Sequence, residues 1–485
     1  MSTPRVRFPP SPTGLFHIGN AHTALFNYLF AKRLGGTLIL RIEDTDRERS
    51  KKEYEQDILN GLTWLGIDID EGLERGGSHG PYRQSERTTI YKRYLAQLLS
   101  EGKAFYCFHS ETELEEEGKR LLHEKQAPIH ACEYRDLDVA KAEALKQSKS
   151  DCIIRFKTPA KRQVVFHDII RGDVSFATNL IGDFSIAKSM DEPLYHLAVV
   201  VDDYEMKISH VIRGEDHITN TPKHILLMEA LGFAIPQFAH LPLLYGPDRS
   251  KLSKRHGATA LAEFREAGYL PEAMINFMAL LGWNPGGDRE IFSREELINQ
   301  FSLKKVQKSG AVFDVAKLDW MNGEYIRKKS PVELTELCMP YLKDFLQNPN
   351  SKIQMTNEYL QKIVTLEQPR LKKLFEIGER AAYFFKPPEY EKELLQWKGM
   401  NYQEILASLE RSESLLSECT GSVSKDKLEQ MFLAVIGGGD KGALLWPLRV
   451  ALSGRKASPG PFEIMEILGV EESRARIRTA KAKLS

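Results

Sequence analysis

The sequence has no run near the roughly 20 apolar residues that a membrane-spanning helix needs. Its opening, MSTPRVRFPP, has neither the apolar core of a secretory signal nor the length of a transit peptide. Cysteine is sparse. Cys107, Cys132, Cys152, Cys338 and Cys419 are too few and too scattered over 485 residues for a disulfide framework, which points to a reducing compartment. Neither sign of charge is in excess: 67 Lys plus Arg balance 67 Asp plus Glu, so a polyanionic partner would have to be met by local basic patches. Internal repeats and long low-complexity segments are also missing. A soluble cytoplasmic protein of several domains is expected, because single cores stop growing at roughly 250–300 residues and 42% of this chain is hydrophobic.

What is present starts at the N-terminus. RVRF alternates Val6 and Phe8 like a short strand, and Pro9, Pro10 and Pro12 prevent its continuation. Beyond SPTGLFHIGN, the residues Ala21, Ala24, Leu25, Tyr28 and Leu29 recur at helical spacing, and Gly35-Gly36 supplies a stop before a second strand, TLILRI. Strand, helix and strand within about 40 residues read as a right-handed parallel βαβ unit, whose ligand crevice lies at the carboxyl ends of the strands. His17 and Gly19 fall at that crevice. There a helix N-terminus offers N–H groups to an anion, a glycine admits a ligand close to the backbone, and an imidazole can donate to a phosphate. Helix capping is the plain alternative for His17.

A second feature is the cationic loop DRSKLSKRHG, with Lys251, Lys254 and Arg255 close together after the apolar run HLPLLYG. By itself such a loop is a solvated face. The early His-Ile-Gly and the later Lys-Leu-Ser-Lys together resemble the paired signatures of the class I aminoacyl-tRNA synthetases. Within that class the sequence is similar to the bacterial glutamyl-tRNA synthetases, through RFPPSPTGLFHIGNAHTALFNYLFAKRLGGTLILRIEDTD, GPYRQSER, YHLAVVVDD, VIRGEDH, KLSKR and GPFEIMEILG. The resemblance covers essentially the whole chain. Asn20 stands where the general class I motif has a second histidine, a place where this subfamily often has a small or polar residue.

The resemblance implies ATP-dependent activation of L-glutamate to glutamyl-adenylate, with ATP bringing Mg²⁺, and transfer of the glutamyl group to the 3′-terminal adenosine of tRNA(Glu). It leaves open a non-discriminating enzyme that also charges tRNA(Gln). A tRNA-modifying relative ordinarily lacks the helical C-terminal half, and a catalytically dead tRNA-binding module would not need His17, Glu43, Arg213 and Lys254 together. Such chemistry is mainly positioning and charge neutralisation, with no protein nucleophile. His17, Gly19, Asn20, Asp216, Lys251 and Lys254 are the implied ATP-site residues. Arg7, Pro9, Ser11, Glu43, Tyr195, Val199 and Arg213 are the implied glutamate-site residues, with Glu43 meeting the α-ammonium and Arg7, Tyr195 and Arg213 surrounding the side-chain carboxylate. Val199 departs from the asparagine of many relatives. The bland alternative for Arg213 is an ion pair with Glu215 or Asp216.

The expected fold is α/β, a class I Rossmann-type catalytic domain with an α+β insertion, followed by a helical anticodon-binding region. Residues 1–100 and 190–245 would form the Rossmann-type domain, and 101–189 the insertion that the family uses to grip the tRNA acceptor end. Residues 246–325 would hold the Lys-Leu-Ser-Lys loop and a helical connecting domain, and 326–485 the anticodon-binding region. In that scheme Thr221 caps a helix whose first turn holds Pro222, and YHLAVVVDD is an apolar run ending at the edge of a strand. GGGDKG, at 437–442, matches a dinucleotide-binding pattern but follows a helix-like segment, so it reads as an inter-helical loop. Some relatives hold zinc in the insertion. Here Cys107, His109, Cys132 and Tyr134 occupy the corresponding places with His130 nearby, and the missing second cysteine weighs against the metal. A monomer with tRNA, glutamate and ATP as partners, and no membrane, completes the expectation.

Overall fold

The computed structural model describes residues 3–148, 152–346, 356–436 and 439–484. The chain forms two compact units, one of Met1–Arg265 with Pro271–Val315 and one of Glu266–Leu270 with Ala316–Ser485. Among the described residues no helix is long and apolar enough to cross a membrane.

The first unit opens with the βαβ arrangement. β1 (Arg5–Phe8) leads into α1 (Ile18–Arg33) and β2 (Thr37–Leu40), and the two strands pair in parallel from Arg5↔Thr37 to Phe8↔Leu40. Pro9 and Pro10 end β1 because neither offers a ladder N–H. Gly35, at φ 61°, takes the left-handed turn out of α1 that a side chain would resist. Next come α2 (Lys52–Leu65), α3 (Thr88–Ser100), β3 (Ala104–Cys107), α4 (Glu111–His123), α5 (Val139–Ser148), β4 (Ile153–Phe156), β5 (Gln163–Asp168), β6 (Gly172–Ala177), β7 (Phe184–Ser189) and β8 (Glu192–Pro193). The set closes with α6 (Tyr195–Glu205), β9 (His210–Gly214), α7 (Thr221–Leu231) and β10 (Gln237–Leu241).

Two four-stranded sheets result. One, in the order β3-β4-β7-β8, is antiparallel. The other runs β6-β5-β10-β9, with β10 parallel to both β9 and β5, and Ser209 beside β9 donates its N–H to Arg5 O at 2.9 Å, tying this sheet to β1. The hairpin 163–177, which lies within the expected insertion, thus extends the sheet that carries β9. Burial along β5 alternates strictly and turns Val164, Phe166 and Asp168 inward, the period of two of a half-buried strand, with Val165 left outside and the charged Asp168 inside.

Two local expectations are corrected. YHLAVVVDDYE is helix α6, with Leu197 to Asp203 all buried among α3, α7 and β7. A segment buried all round has no amphipathic period, so an apolar run of this length does not distinguish strand from helix. Thr221 is the first residue of α7 and not its cap; Asn220 precedes it, and the Thr221 hydroxyl is occupied by Arg213 and His240.

The main core of this unit runs from Ile39 through α3, α6 and α7 to Phe238. The β3–β4 end has a much smaller one, Phe105, Cys107 and Cys132 with Tyr134 and Ile153 packed against it. Beside it α4 buries none of its residues and is held at its start by a reciprocal capping box of Ser110 and Glu113.

In the second unit the described elements are helices, the long ones being Val315–Arg327 (from Ala316 on), Pro331–Leu346, Asn357–Glu367, Glu376–Phe385, Tyr402–Ser417, Lys425–Ile436, Lys441–Ser453, Pro461–Leu468 and Val470–Ala482. Their starts follow the sequence: Thr356, Asn401 and Asp440 cap with side-chain oxygens, and Pro461 occupies a first turn after Gly460. Of GGGDKG, Gly437 and Gly438 lie outside the described residues; Asp440 caps the helix that begins at Lys441.

Candidate active site

At the carboxyl ends of β1, β9 and β10 lies a cavity of about 760 Å³. Arg7, Pro9, Ser11, His17, Gly19, Asn20, Glu43, Tyr195, Val199, Arg213, Asp216 and Lys251 all line it. The side chain of Lys254 lies outside the described residues; its backbone falls in a short 3-10 turn, Lys254–His256.

One end of the cavity is the start of α1. His17 is the N-cap, and its Nδ1 accepts the Gly19 N–H at 3.0 Å. Nδ1 is thereby the acceptor nitrogen, and Nε2 carries the proton of the neutral ring. Burial, with Lys251 nearby, lowers the His17 pKa, so the neutral form prevails at pH 7. Capping therefore occupies Nδ1 and not the protonated Nε2. Lys251 Nζ reaches Asp216 Oδ2 at 3.8 Å, both side chains being exposed.

The other end is built on buried charge. Arg41 is fully buried and donates to Asp203 Oδ1 at 2.8 Å and to Glu43 Oε1 at 2.9 Å. Arg7 donates to the same Asp203 from Nε at 3.1 Å and from Nη2 at 3.4 Å, and its buried Nη1 has no partner among the described residues. Burial acts to raise the Asp203 pKa, but the two guanidiniums outweigh it and hold the carboxyl low. Burial pushes the Glu43 carboxyl upward against the pull of Arg41. A third carboxylate, Asp202, is completely buried and takes Arg87 Nε at 2.6 Å, Gln84 Nε2 at 2.8 Å and the Tyr91 hydroxyl at 2.9 Å. The acidic pair that closes the apolar run of α6 thus anchors β1, β2 and α3 beneath the cavity.

Arg213, 5% exposed, differs from every other buried arginine at the site. Glu215 is taken by Arg171 and Asp216 by Lys251, and among the described residues no carboxylate comes within ion-pair distance of Arg213. Its partners are neutral: Nε to His240 Nε2 at 3.3 Å, Nη1 near His224 Nδ1 at 3.3 Å, and Nη2 to Thr221 Oγ1 at 2.8 Å and His217 O at 3.4 Å. Burial depresses all three imidazoles, that of His217 to about 4, so none carries charge at neutral pH. Tyr195, its hydroxyl 3.1 Å from His217 Nδ1 and its pKa pushed to about 12 by burial, is also neutral. The cavity therefore has one phosphate-suited end, two guanidiniums with donors to spare, and a carboxylate, Glu43.

A second cluster lies in the β3–β4 region. Cys107, His109, His130 and Cys132 bring one ligand atom each within 4.8 Å of one another. The Tyr134 ring packs against Phe108 and His109. His130 stands in the fourth place because Nε2 points to Cys107 Sγ at 3.7 Å while Nδ1 is held by Glu117 of α4. A hydrogen bond from Cys132, aided by His109 and His130, draws the Cys107 thiol down.

Comparison with known proteins places this architecture. Residues 4–320 match the family "tRNA synthetases class I (E and Q), catalytic domain", and residues 333–481 match "Anticodon binding domain". The chain belongs to the class I (E and Q) tRNA synthetases. Similar proteins include glutamate–tRNA ligase 1 of Caldicellulosiruptor saccharolyticus, 46% identical over 98% of this chain and 99% of the relative. The glutamate–tRNA ligase of Carboxydothermus hydrogenoformans is 46% identical over 98% of each. A crystal structure of a glutamate tRNA ligase from Elizabethkingia meningosepticum, in complex with its amino acid, superposes with a TM-score of 0.89 at 35% identity over 100% of both chains. In this class I synthetase the groups that sequence reasoning missed are the supports: Asp203 and Arg41 under Arg7 and Glu43, and His240, His224 and Thr221 around Arg213. The doubled aspartate after three valines was the one local signal; the histidines carried none.

Proposed function

We propose that the chain is a glutamate–tRNA ligase that activates L-glutamate on the α-phosphate of ATP and passes the glutamyl group to the 3′-terminal adenosine of tRNA(Glu), releasing AMP and diphosphate. The observation that carries this reading is Arg213: a buried guanidinium among neutral partners lacks an anion that a substrate carboxylate would supply, at about 1.5–3 kcal/mol per charge-assisted hydrogen bond. Arg7, with its unpaired Nη1, flanks the same carboxylate with Tyr195, and Glu43 receives the α-ammonium. Pro9, Ser11 and Val199 shape the remaining wall. His17, Gly19, Asn20, Asp216 and Lys251 take the ATP, which arrives with Mg²⁺; Lys254 joins them on the strength of its sequence motif. Residues 1–100 and 190–245 serve as the catalytic domain, 101–189 as the acceptor-end insertion, 246–325 as the loop and connecting helices, and 326–485 as the anticodon-binding region.

Zinc fits the second cluster. Two thiols and two imidazoles are a structural zinc donor set, and Glu117 behind His130 fixes the ring as carboxylates do behind metal-bound histidines. Cys107, His109, His130 and Cys132 would hold the ion, and it would reinforce a core too small to stabilise the insertion by itself.

Charging of purified tRNA(Glu) and tRNA(Gln) with labelled glutamate and glutamine tests the reading. Glutamyl-tRNA(Glu) is the expected product. Absence of charging, together with absence of ATP–diphosphate exchange in the presence of tRNA(Glu), would refute it.

A further inference from the structure

We infer that Asp168 is a positioning residue for the glutamate pocket, fixing through the His240 ring the direction in which Arg213 presents its guanidinium. The inference rests on the reading of Arg213 as the group that meets the substrate carboxylate.

Asp168 ends β5, and His240 lies in β10, where Phe238 is the parallel partner of Asp168. Both side chains are wholly buried, with Asp168 Oδ2 at 2.7 Å from His240 Nδ1. The carboxylate is fixed on its other sides as well. Oδ1 accepts the N–H groups of Ile170 and Arg171 at 2.9 and 2.8 Å, and Oδ2 accepts the N–H of His240 itself at 3.0 Å. A carboxylate among four donors only accepts, so Nδ1 holds the proton of the neutral ring and Nε2 presents a lone pair. That lone pair faces Arg213 Nε at 3.3 Å and Thr221 Oγ1 at 3.0 Å, and Thr221 Oγ1 accepts from Arg213 Nη2 at 2.8 Å. One edge of the guanidinium, Nε with Nη2, is therefore held by neutral acceptors, Nη1 has His224 Nδ1 at 3.3 Å, and the second N–H of Nη1 is left for the cavity. In the opposite tautomer the ring would set an N–H against the Arg213 Nε–H.

The same corner holds the far end of the RGED segment. Arg171 binds Glu215 through Nη2, His240 O through Nε at 3.4 Å and Lys308 O through Nη1 at 2.6 Å. Residues 168–171, at the turn of a hairpin, thus fix both Arg213 and Glu215 without entering the cavity. Neither Asp168 nor Arg171 lines it.

Asp168→Asn tests the inference in the full-length protein. With the amide oxygen kept by the N–H groups of Ile170 and Arg171, the amide NH₂ faces His240 Nδ1 and drives the proton to Nε2. In tRNA-dependent ATP–diphosphate exchange the KM for glutamate should rise about 10-fold or more, while the KM for ATP stays at its wild-type value. His240→Gln, which keeps a donor toward Asp168 and an acceptor toward Arg213, should retain most of the glutamate affinity that His240→Leu loses. Histidine-selective ¹⁵N NMR of the wild-type protein, assigned with His240→Gln, should show the Nδ1-protonated neutral tautomer at His240; it decides the matter if Asp168→Asn does not fold. An Nε2-protonated or doubly protonated His240, or parallel increases in the KM for glutamate and ATP in Asp168→Asn, would overturn the inference. If Arg213→Gln weakens glutamate and Asp168→Asn does not, the inference fails and the reading of the pocket stands. If Arg213→Gln leaves glutamate untouched, the reading itself fails.

Discussion

The backbone N–H of Gly19 binds His17 Nδ1 at 3.0 Å, so that one histidine lining the cavity caps α1 with one nitrogen and keeps the other out of the cap. His17→Asn separates the two tasks, because asparagine is a good N-cap but places no second nitrogen at the reach of Nε2. The helix should remain, with unchanged circular dichroism, while adenylate formation falls by about 10²–10³-fold, as for other donors aimed at developing charge. Full activity in His17→Asn would reduce the residue to a cap.

Arg213→Gln tests selectivity. Glutamine presents an amide whose NH₂ would face the guanidinium donors, so the native pocket disfavours it. Removing the guanidinium should lower kcat/KM for glutamate by at least ~10²-fold, since a buried charged hydrogen bond is worth about 2–5 kcal/mol, and should lower that for glutamine much less. Adenylation kinetics with both amino acids in the presence of tRNA(Glu) give the ratio; equal proportional losses would assign Arg213 to the fold.

Acid should loosen the catalytic unit before most carboxylates titrate. Burial lowers His22 to about 4, His196 to about 3 and His217 to about 4. Unfolded, each binds a proton below its ordinary value near 6.5, so the unfolded state takes up protons that the folded state refuses. Their contribution is complete above pH 6.5 and is lost as pH falls toward 4, at up to about 1.4 kcal/mol per pH unit for each ring. Hydrogen exchange of α1 and α6 amides, corrected for intrinsic rates, should report less protection at pH 5.5 than at 7.5. His22→Asn should flatten that slope, and a pH-independent protection would contradict the assignment.

Metal analysis of the purified protein should return one zinc per chain, falling to none in Cys132→Ala. Cobalt substitution should give the charge-transfer and d–d absorption of a tetrahedral site with thiolate ligands. Chelation should raise protease sensitivity around α4 and leave α1 protected. A protein purified with zinc supplied and carrying none would exclude the site.

The features that could be read from the sequence are those with a local signature. β1, α1 and β2 follow from alternation, three prolines and a glycine pair, and the cavity residues from motifs whose spacing is short. Helix α6 was not legible as a helix because burial on all sides erases its period. His130 could be named only as a neighbour of the cysteine pair, because the spacing of a ligand pair says nothing of what the chain folds back; the segment after α4 brings it beside Cys107. Asp168 and His240 are 72 residues apart and meet only because β5 and β10 pair in parallel. No short motif encodes that register.

The neutral surroundings of Arg213 have a further consequence for heat tolerance and for attempts to engineer it. An unaccompanied buried cation weakens the empty protein, and an apolar side chain of similar volume at that position would harden it while abolishing recognition of the amino acid. Screens that select only for survival on heating will be drawn to residue 213 and will return robust, inert variants. On the proposed reading, in which the substrate carboxylate supplies that anion, the working stability of the catalytic unit follows the free glutamate concentration as well as the sequence, rising by RT ln(1 + [L]/Kd). Melting points taken in amino-acid-free buffer describe a form of the molecule that a glutamate-rich solution scarcely populates.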